Sequence, residues 1–345
     1  MDKINKINIK LIEHIKDIGN SRLEFNLNGS NIDYIVVNTI RRTVLSDVPI
    51  YAFNEFKFEK NTSIFHNNYL KLRFRHMTVW DIDNKLDFID IKEENNNVPE
   101  SKDNLNESDS DDDIELETKN VIDSSTLKQM TMYVNHKNKT NGIYTVNTND
   151  AKFYYEQKLI KSPYKVPIPL VKLQEGQEIV FSAITNIGTE YINAMYSAVC
   201  VVGYKQNDDT VECKDVNFFL ESRGQLSEKR ILDVALINLE RKLKSFLKII
   251  KDTVEKNINK ESLEGIIVVN NEDHTLGNLI SRGMQLHKKV SFAGYNMPHP
   301  LATTVHLHYK LINTKENVKD IIEDVVNYYL ELFDDIKKGI NSMKL

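Results

Sequence analysis

Residues with reactive side chains are scattered through this chain, and few stand at the spacings that chemistry requires. Asp273-His274 has the types of a base and its orienter, but neighbours on a turn rarely face each other, and no Ser or Cys sits in a recognisable nucleophile elbow. His306 and His308 share one face of a strand pattern. No Asp, Glu or Cys follows them at ligand spacing, which argues against a metal site. His299, held between Pro298 and Pro300, is expected to be structural. Cys200 and Cys213 are too few for a disulfide framework or a four-cysteine zinc site, and they fit a reducing compartment. Neither Walker-type nor dinucleotide glycine patterns occur. Asp109, Asp111 and Asp113 resemble the start of a calcium loop, but Ile114 stands where Gly is needed and Asn120 where a bidentate Glu is needed. Arg73, Arg75 and His76, near Phe74 and Trp80, could meet a phosphate or an acidic protein surface, or form a solvated strand face. No catalytic residues, metal or cofactor are expected.

The elements that carry these residues show an internal repeat. Asn38-Thr39-Ile40-Arg41-Arg42 and Asn278-Leu279-Ile280-Ser281-Arg282 are each placed at the start of an apolar helical pattern, and each is followed by an Ala-Phe or Phe-Ala step (Ala52-Phe53, Phe292-Ala293). Two related half-domains in one chain suggest the two partners of a dimer joined in one polypeptide. Leu23, Phe25 and Leu27 alternate with polar residues as a half-buried strand, with 7–18 as an edge strand before it. Apolar positions at helical spacing predict helices over 32–45, 227–257, 276–286 and 318–340. Tyr51–Phe58, Ile266–Val269 and Val305–Leu311 read as strands. The final apolar stripe is too long to bury against a small sheet alone, and the 227–257 helix is its expected partner. Leu239, Leu243 and Phe246 would then pack against Val325, Tyr329 and Phe333.

Composition bounds the rest. A chain of 345 residues, 41% of them hydrophobic, fits about two soluble domains. It has no run of ~18 apolar residues, so no membrane span is expected. The polar, lysine-bearing stretch 1–10 gives no expectation of a signal peptide. The net charge is −5, but the stretch 93–117 alone holds 11 acidic residues and one basic residue, Lys102; the remainder carries 44 basic and 39 acidic residues, a charge of +5. That mild excess is weak support for nucleic-acid contact. Residues 92–125 lack the apolar surface to offset chain entropy and read as a mobile loop. Ser108 and Ser110 there each have an Asp three residues on, an acidic-directed kinase pattern that acid runs also produce by chance. Residues 130–204, broken by Pro163, Pro167 and Pro169, have the texture of a β-rich insertion.

The stretch Glu272-Asp273-His274-Thr275-Leu276-Gly277-Asn278-Leu279, with Phe292-Ala293-Gly294-Tyr295 and Pro298-His299-Pro300-Leu301, resembles the eleventh-largest subunit of eukaryotic RNA polymerase II and its archaeal L-type counterpart. The first 220 or so residues resemble the third-largest subunit, or archaeal D-type, through Asn38 to Arg42, Val48-Pro49, Asn61-Thr62-Ser63, Leu170 to Gln177, Arg223-Gly224 and the helix after Ser227. The resemblance implies an α+β fold of two RNA polymerase α-like dimerisation half-domains, paired within one chain. It places the first half at 1–84 plus 213–258, a β-rich insertion at 85–212, and the second half at 259–345. Such fusions occur in large DNA viruses, so the host cytoplasm is the expected location, with virion and nucleus as alternatives.

The function implied is a non-catalytic assembly platform on which the second-largest and largest polymerase subunits dock, with small zinc-binding subunits at one end. Little direct DNA contact is expected, no membrane, and a monomeric pseudo-dimer within the larger assembly. Arg41 and Arg42 match the family's paired arginines, the second of which is implicated in holding the second-largest subunit. A pairing of both within the domain is the other reading. Gly277 and Gly294 are assigned to a close approach at the helix start and to a turn after the strand, and His274 and Thr275 to capping or anchoring that helix. Asn38, Asn278, Tyr295, Pro298 and His299 complete the motif. Two departures stand out. The family's zinc or iron–sulfur cysteines are missing, and Leu72 to Val79 replaces its His-Arg-Leu-Gly-Leu-Ile-Pro-like stretch. The rival reading is a stand-alone transcription regulator or nucleic-acid-binding protein that uses the same fold.

Overall fold

The computed structural model describes residues 4–5, 7–17, 20–80, 129–155, 157–207, 213–257, 263–299, 303–313 and 316–344. The acidic stretch 93–117, with Ser108 and Ser110, lies outside the described residues. Chain contacts divide the protein into two compact units, one of residues 1–52, 78–80 and 187–345, the other of 53–77 and 81–186.

The first unit is mixed α and β. Strands β1 (Asn8–Asp17), β2 (Asn20–Asn28), β10 (Val199–Gln206) and β11 (Asp215–Ser222) form an antiparallel sheet in the order β1-β2-β11-β10, so β1 lies at its edge. Leu23, Phe25 and Leu27 of β2 and Val216, Phe218 and Leu220 of β11 alternate inward and are buried. Helix α1 (Tyr34–Ser46) follows β2, and α3 (Glu228–Asn257) follows β11. In the C-terminal segment, β12 (Glu264–Asn270), β13 (Val290–Asn296) and β14 (Thr304–Leu311) form a sheet in the order β12-β14-β13; α4 (His274–Gln285) follows β12 and α5 (Val318–Ser342) follows β14. Each sheet therefore pairs the strand before a short helix with the strand before a long helix: β2 with β11, and β12 with β14.

The outer faces of the two sheets differ. On the first, Arg22 ion-pairs with Glu24 and Glu221 and lies over the Phe219 ring. On the second, Ile266, Val268 and Phe292 are exposed around His306 and His308.

The second unit holds most of β3 (Ile50–Asn61), helix α2 (Asn67–Arg75), and β4 (Met130–Lys137), β5 (Tyr144–Asn147), β6 (Ala151–Tyr155), β7 (Lys158–Ile160), β8 (Pro169–Leu173) and β9 (Glu178–Gly188). Its main sheet has the order β3-β9-β4-β6-β7, with β5 and β8 as a separate ribbon. Phe74 of α2 stacks on Phe181 of β9 at 5.0 Å between ring centroids, inside a core that includes Met132, Val134 and Phe153.

Two expectations are corrected here. The β-rich unit begins at 53 and ends at 186, where the sequence placed it at 85–212. The reason is that β10 pairs along β11 in the first unit, while β3 runs on beside β9. Arg73 and Arg75 lie on α2, not on a strand. They occupy its last turn, where cations favour the helix dipole, and Arg73 Nη2 donates to the Pro169 carbonyl at 2.7 Å.

Candidate functional site

Arg42 and Thr275, both singled out by sequence, lie together where α1 meets α4. Both helices open on an aspartate. Asp33 caps α1, its Oδ1 accepting the Val36 N–H at 2.9 Å; Asp273 caps α4, its Oδ1 accepting the Thr275 N–H at 2.8 Å. The second carboxylate oxygen of each accepts from an arginine on the other helix. Arg42 Nη2 lies 3.1 Å from Asp273 Oδ2, and Arg282 Nε lies 3.1 Å from Asp33 Oδ2. Each arginine stands nine residues after the cap of its own helix, which places it on the last turns, beside the start of the antiparallel neighbour.

The two contacts differ in one detail. Arg42 Nε also donates to the Thr275 hydroxyl at 2.8 Å, and that hydroxyl donates on to Asp273 Oδ2 at 3.0 Å. Opposite Arg282 the corresponding position is Ile35, which offers no hydroxyl. Burial alone would raise the Asp273 pKa. The backbone and hydroxyl of Thr275, with Lys242 and Arg42, reverse this and hold the carboxyl below its ordinary value. Lys242, 2.7 Å from Asp47 at the end of α1, is pushed down by burial but more strongly up by Asp47, Glu272 and Asp273.

Beneath these contacts, α3 and α5 run antiparallel. Lys229 near the start of α3 donates to the Asn341 carbonyl at the end of α5 at 2.8 Å, Lys337 lies 3.5 Å from Asp233, and Lys251 pairs with Glu323 at 2.8 Å. Leu239, Leu243, Phe246, Val325, Tyr329 and Phe333 are all buried. Phe246 lines a small space, too tight for a water, whose other walls are Val269, Glu272, Leu276, Gly277, Ile280, Val305 and Leu307, all from the C-terminal segment. At the other end of α5, a Cβ on Gly339 would come within 2.6 Å of Ile9 on β1.

Other motif residues fall where sequence did not put them. Asn38 and Asn278 lie inside their helices, not at the starts; the starts belong to Asp33 and Asp273. Asn38 Oδ1 accepts from Arg41 Nε at 3.0 Å, and Arg41 is half-buried near Tyr204. His274 does not cap α4 but packs edge-on against Tyr295 at 5.8 Å. At Gly277 a Cβ would lie 2.8 Å from Tyr295 and Val305. Gly294 lies within β13, opposite His308, and not in a turn. Pro298 and His299 are exposed past the end of β13. Asp33 was not singled out from sequence, and Arg282 only as the last residue of the repeat. The signal was available, because Asp33, Asn38 and Arg42 each have an identical residue 240 positions on.

Among the described residues, no cluster of three or more His, Cys, Asp or Glu could hold a metal, and no helix is long and apolar enough to cross a membrane.

Residues 264–339 match the family described as the RNA polymerase Rpb3/Rpb11 dimerisation domain. Along 96% of its length the chain is 26% identical to a putative DNA-directed RNA polymerase subunit of Acanthamoeba polyphaga mimivirus, covering 92% of that protein. A shorter match, 27% of this chain, is 34% identical to the DNA-directed RNA polymerase subunit Rpo11 of Sulfolobus acidocaldarius and covers 97% of it. A third, 28% of this chain, is 31% identical to 40% of the subunit Rpo3 of Methanobrevibacter smithii.

Proposed function

The chain belongs to the Rpb3/Rpb11 family of DNA-directed RNA polymerase subunits, and on that premise we propose that it is two such subunits in one: a fused pseudo-dimer serving as the assembly platform of a multisubunit, virus-type RNA polymerase. The observation that carries this is the reciprocal contact of α1 with α4. Asp33 and Arg42 recur as Asp273 and Arg282, and each arginine grips the other helix's cap, as a two-fold axis would require. The antiparallel α3 and α5 continue the same relation, and the mimivirus relative spans both segments in one chain. Joining the halves raises their effective concentration, so no separate partner is needed for pairing.

The largest and second-largest subunits would dock on the outside of this platform, with the small zinc-binding subunits at one end. Arg42 is occupied by Asp273 and Thr275, so docking of the second-largest subunit is assigned to the Arg41 side of α1, with Tyr34 and Asn38 beside it. Catalysis would reside in the large subunits. Purified alone, the 345-residue chain should run as a monomer of about the sequence mass, 40.0 kDa, and Arg41→Glu should weaken capture of the second-largest subunit without lowering the melting temperature. A stable homodimer would contradict the fused pairing, and unimpaired capture by Arg41→Glu would remove the docking assignment.

A further inference from the structure

The two aspartates do more than start helices. Each carboxylate is divided, with Oδ1 accepting one first-turn amide of its own helix and Oδ2 accepting from an arginine of the other half. Helix initiation in one half is therefore wired to the side chains of the other. We propose that Asp33–Arg282 and Asp273–Arg42 form a pair of crossed clasps that order the first turns of α1 and α4 only when the two halves are joined. This inference rests on the fused-pair reading and adds to it a specific coupling. Each clasp also aligns charges favourably, with a carboxylate at a helix N-terminus and an arginine near the C-terminal end of the opposing helix. The Arg42 clasp is the stronger, since Thr275 gives it a second acceptor and Ile35 gives Arg282 none.

The coupling has a signature that ordinary packing lacks, because its effect appears in the other half. In the full-length chain, Arg42→Gln should speed amide hydrogen exchange at Thr275 to Gly277 roughly five- to thirty-fold, the range that loss of one or two charge-assisted contacts gives, while Val36 and Val37 stay near the wild-type rates. Arg282→Gln should do the reverse, by a smaller factor. Thr275→Val, nearly isosteric, should reproduce a fraction of the Arg42→Gln effect, and serves where Arg42→Gln folds poorly. Asp273→Asn keeps the capping oxygen but lowers the charge, and combined with Arg42→Gln it should add little to either alone. Exchange that accelerates only in the helix carrying the substitution, or equally throughout, would overturn the clasps. That result would leave the platform reading intact if the wild-type chain still captures the large polymerase subunits. Loss of that capture with crossed exchange effects present would instead sink the platform and keep the clasps.

Discussion

Phe246→Ala tests the packing of α3 into the C-terminal segment. The ring is 1% exposed, and apart from Phe246 itself every residue around the small space it lines belongs to the C-terminal segment. Truncating a fully buried Phe removes its transfer free energy and leaves a cavity, together about 3–5 kcal/mol. Collapse is restricted here, because Val269, Val305 and Leu307 are held in the sheet β12-β14-β13 and Leu276 and Ile280 on α4. A value near the upper end is therefore expected. At about 2–4 °C per kcal/mol for a unit of this size, the melting temperature should fall by roughly 10–20 °C. Urea unfolding with hydrogen exchange is the assay. The expected result is a lower midpoint, with protection lost across β12, α4 and β14 although the substitution sits on α3. A destabilisation below about 1 kcal/mol, or lost protection confined to α3, would refute the view that this ring belongs to the core of the C-terminal segment.

Four further outcomes follow from the same packing. Gly283→Ala would gain about 1 kcal/mol of helix propensity, but its Cβ would collide with Val325 and lie 2.7 Å from Tyr329. Overpacking should win by about 1–2 kcal/mol in thermal melts, with Val325→Ala restoring part of the loss; a rise in melting temperature would contradict the close approach of α4 and α5. Tyr329→Phe should be neutral or stabilising, because the hydroxyl is buried without a hydrogen-bond partner among the described residues, and a loss above ~1 kcal/mol would count against that. Tyr329→Asp or Leu243→Asp should disrupt folding by burying an unpaired charge, and unchanged melting curves would mean that these positions are not enclosed. His287 is buried and its Nδ1 accepts the Lys289 N–H, so desolvation depresses its pKa against the pull of Asp324. A depressed histidine contributes stability above its unfolded value of about 6.5 and loses it as pH falls through the lower folded value, so His287→Gln should flatten the acid side of the stability curve just below that pH. Identical curves for the two proteins would refute it.

Periodicity carried most of the first unit. β2, α1, α3, α4, β14 and α5 lie within a few residues of where apolar spacing put them, because each buries one face against a layer. Local pattern failed where the decision was made at long range. Nothing near residue 53 announces that β3 leaves the first unit to run beside β9, nor that β10 takes the place beside β11. The 67–75 segment alternates poorly as either strand or helix, and the stacking of Phe74 on Phe181 settles it. At the site, the repeat is legible as Asn38 and Asn278, but its geometry depends on residues that sequence spacing does not bring together. Arg41 and Arg42 are adjacent in sequence and point to different neighbours, Asn38 on the same helix and Asp273 on the other. Asp33 and Asp273 prove to be the caps, and only the fold shows that each has a second oxygen to give.

The most direct test of the assembly role is to isolate the tagged chain from its native source at moderate salt and determine what accompanies it and in what ratio. The account predicts two very large polymerase subunits in stoichiometric amount, with a single copy of this chain. A free protein, or two copies of the chain with no large partners, would contradict it.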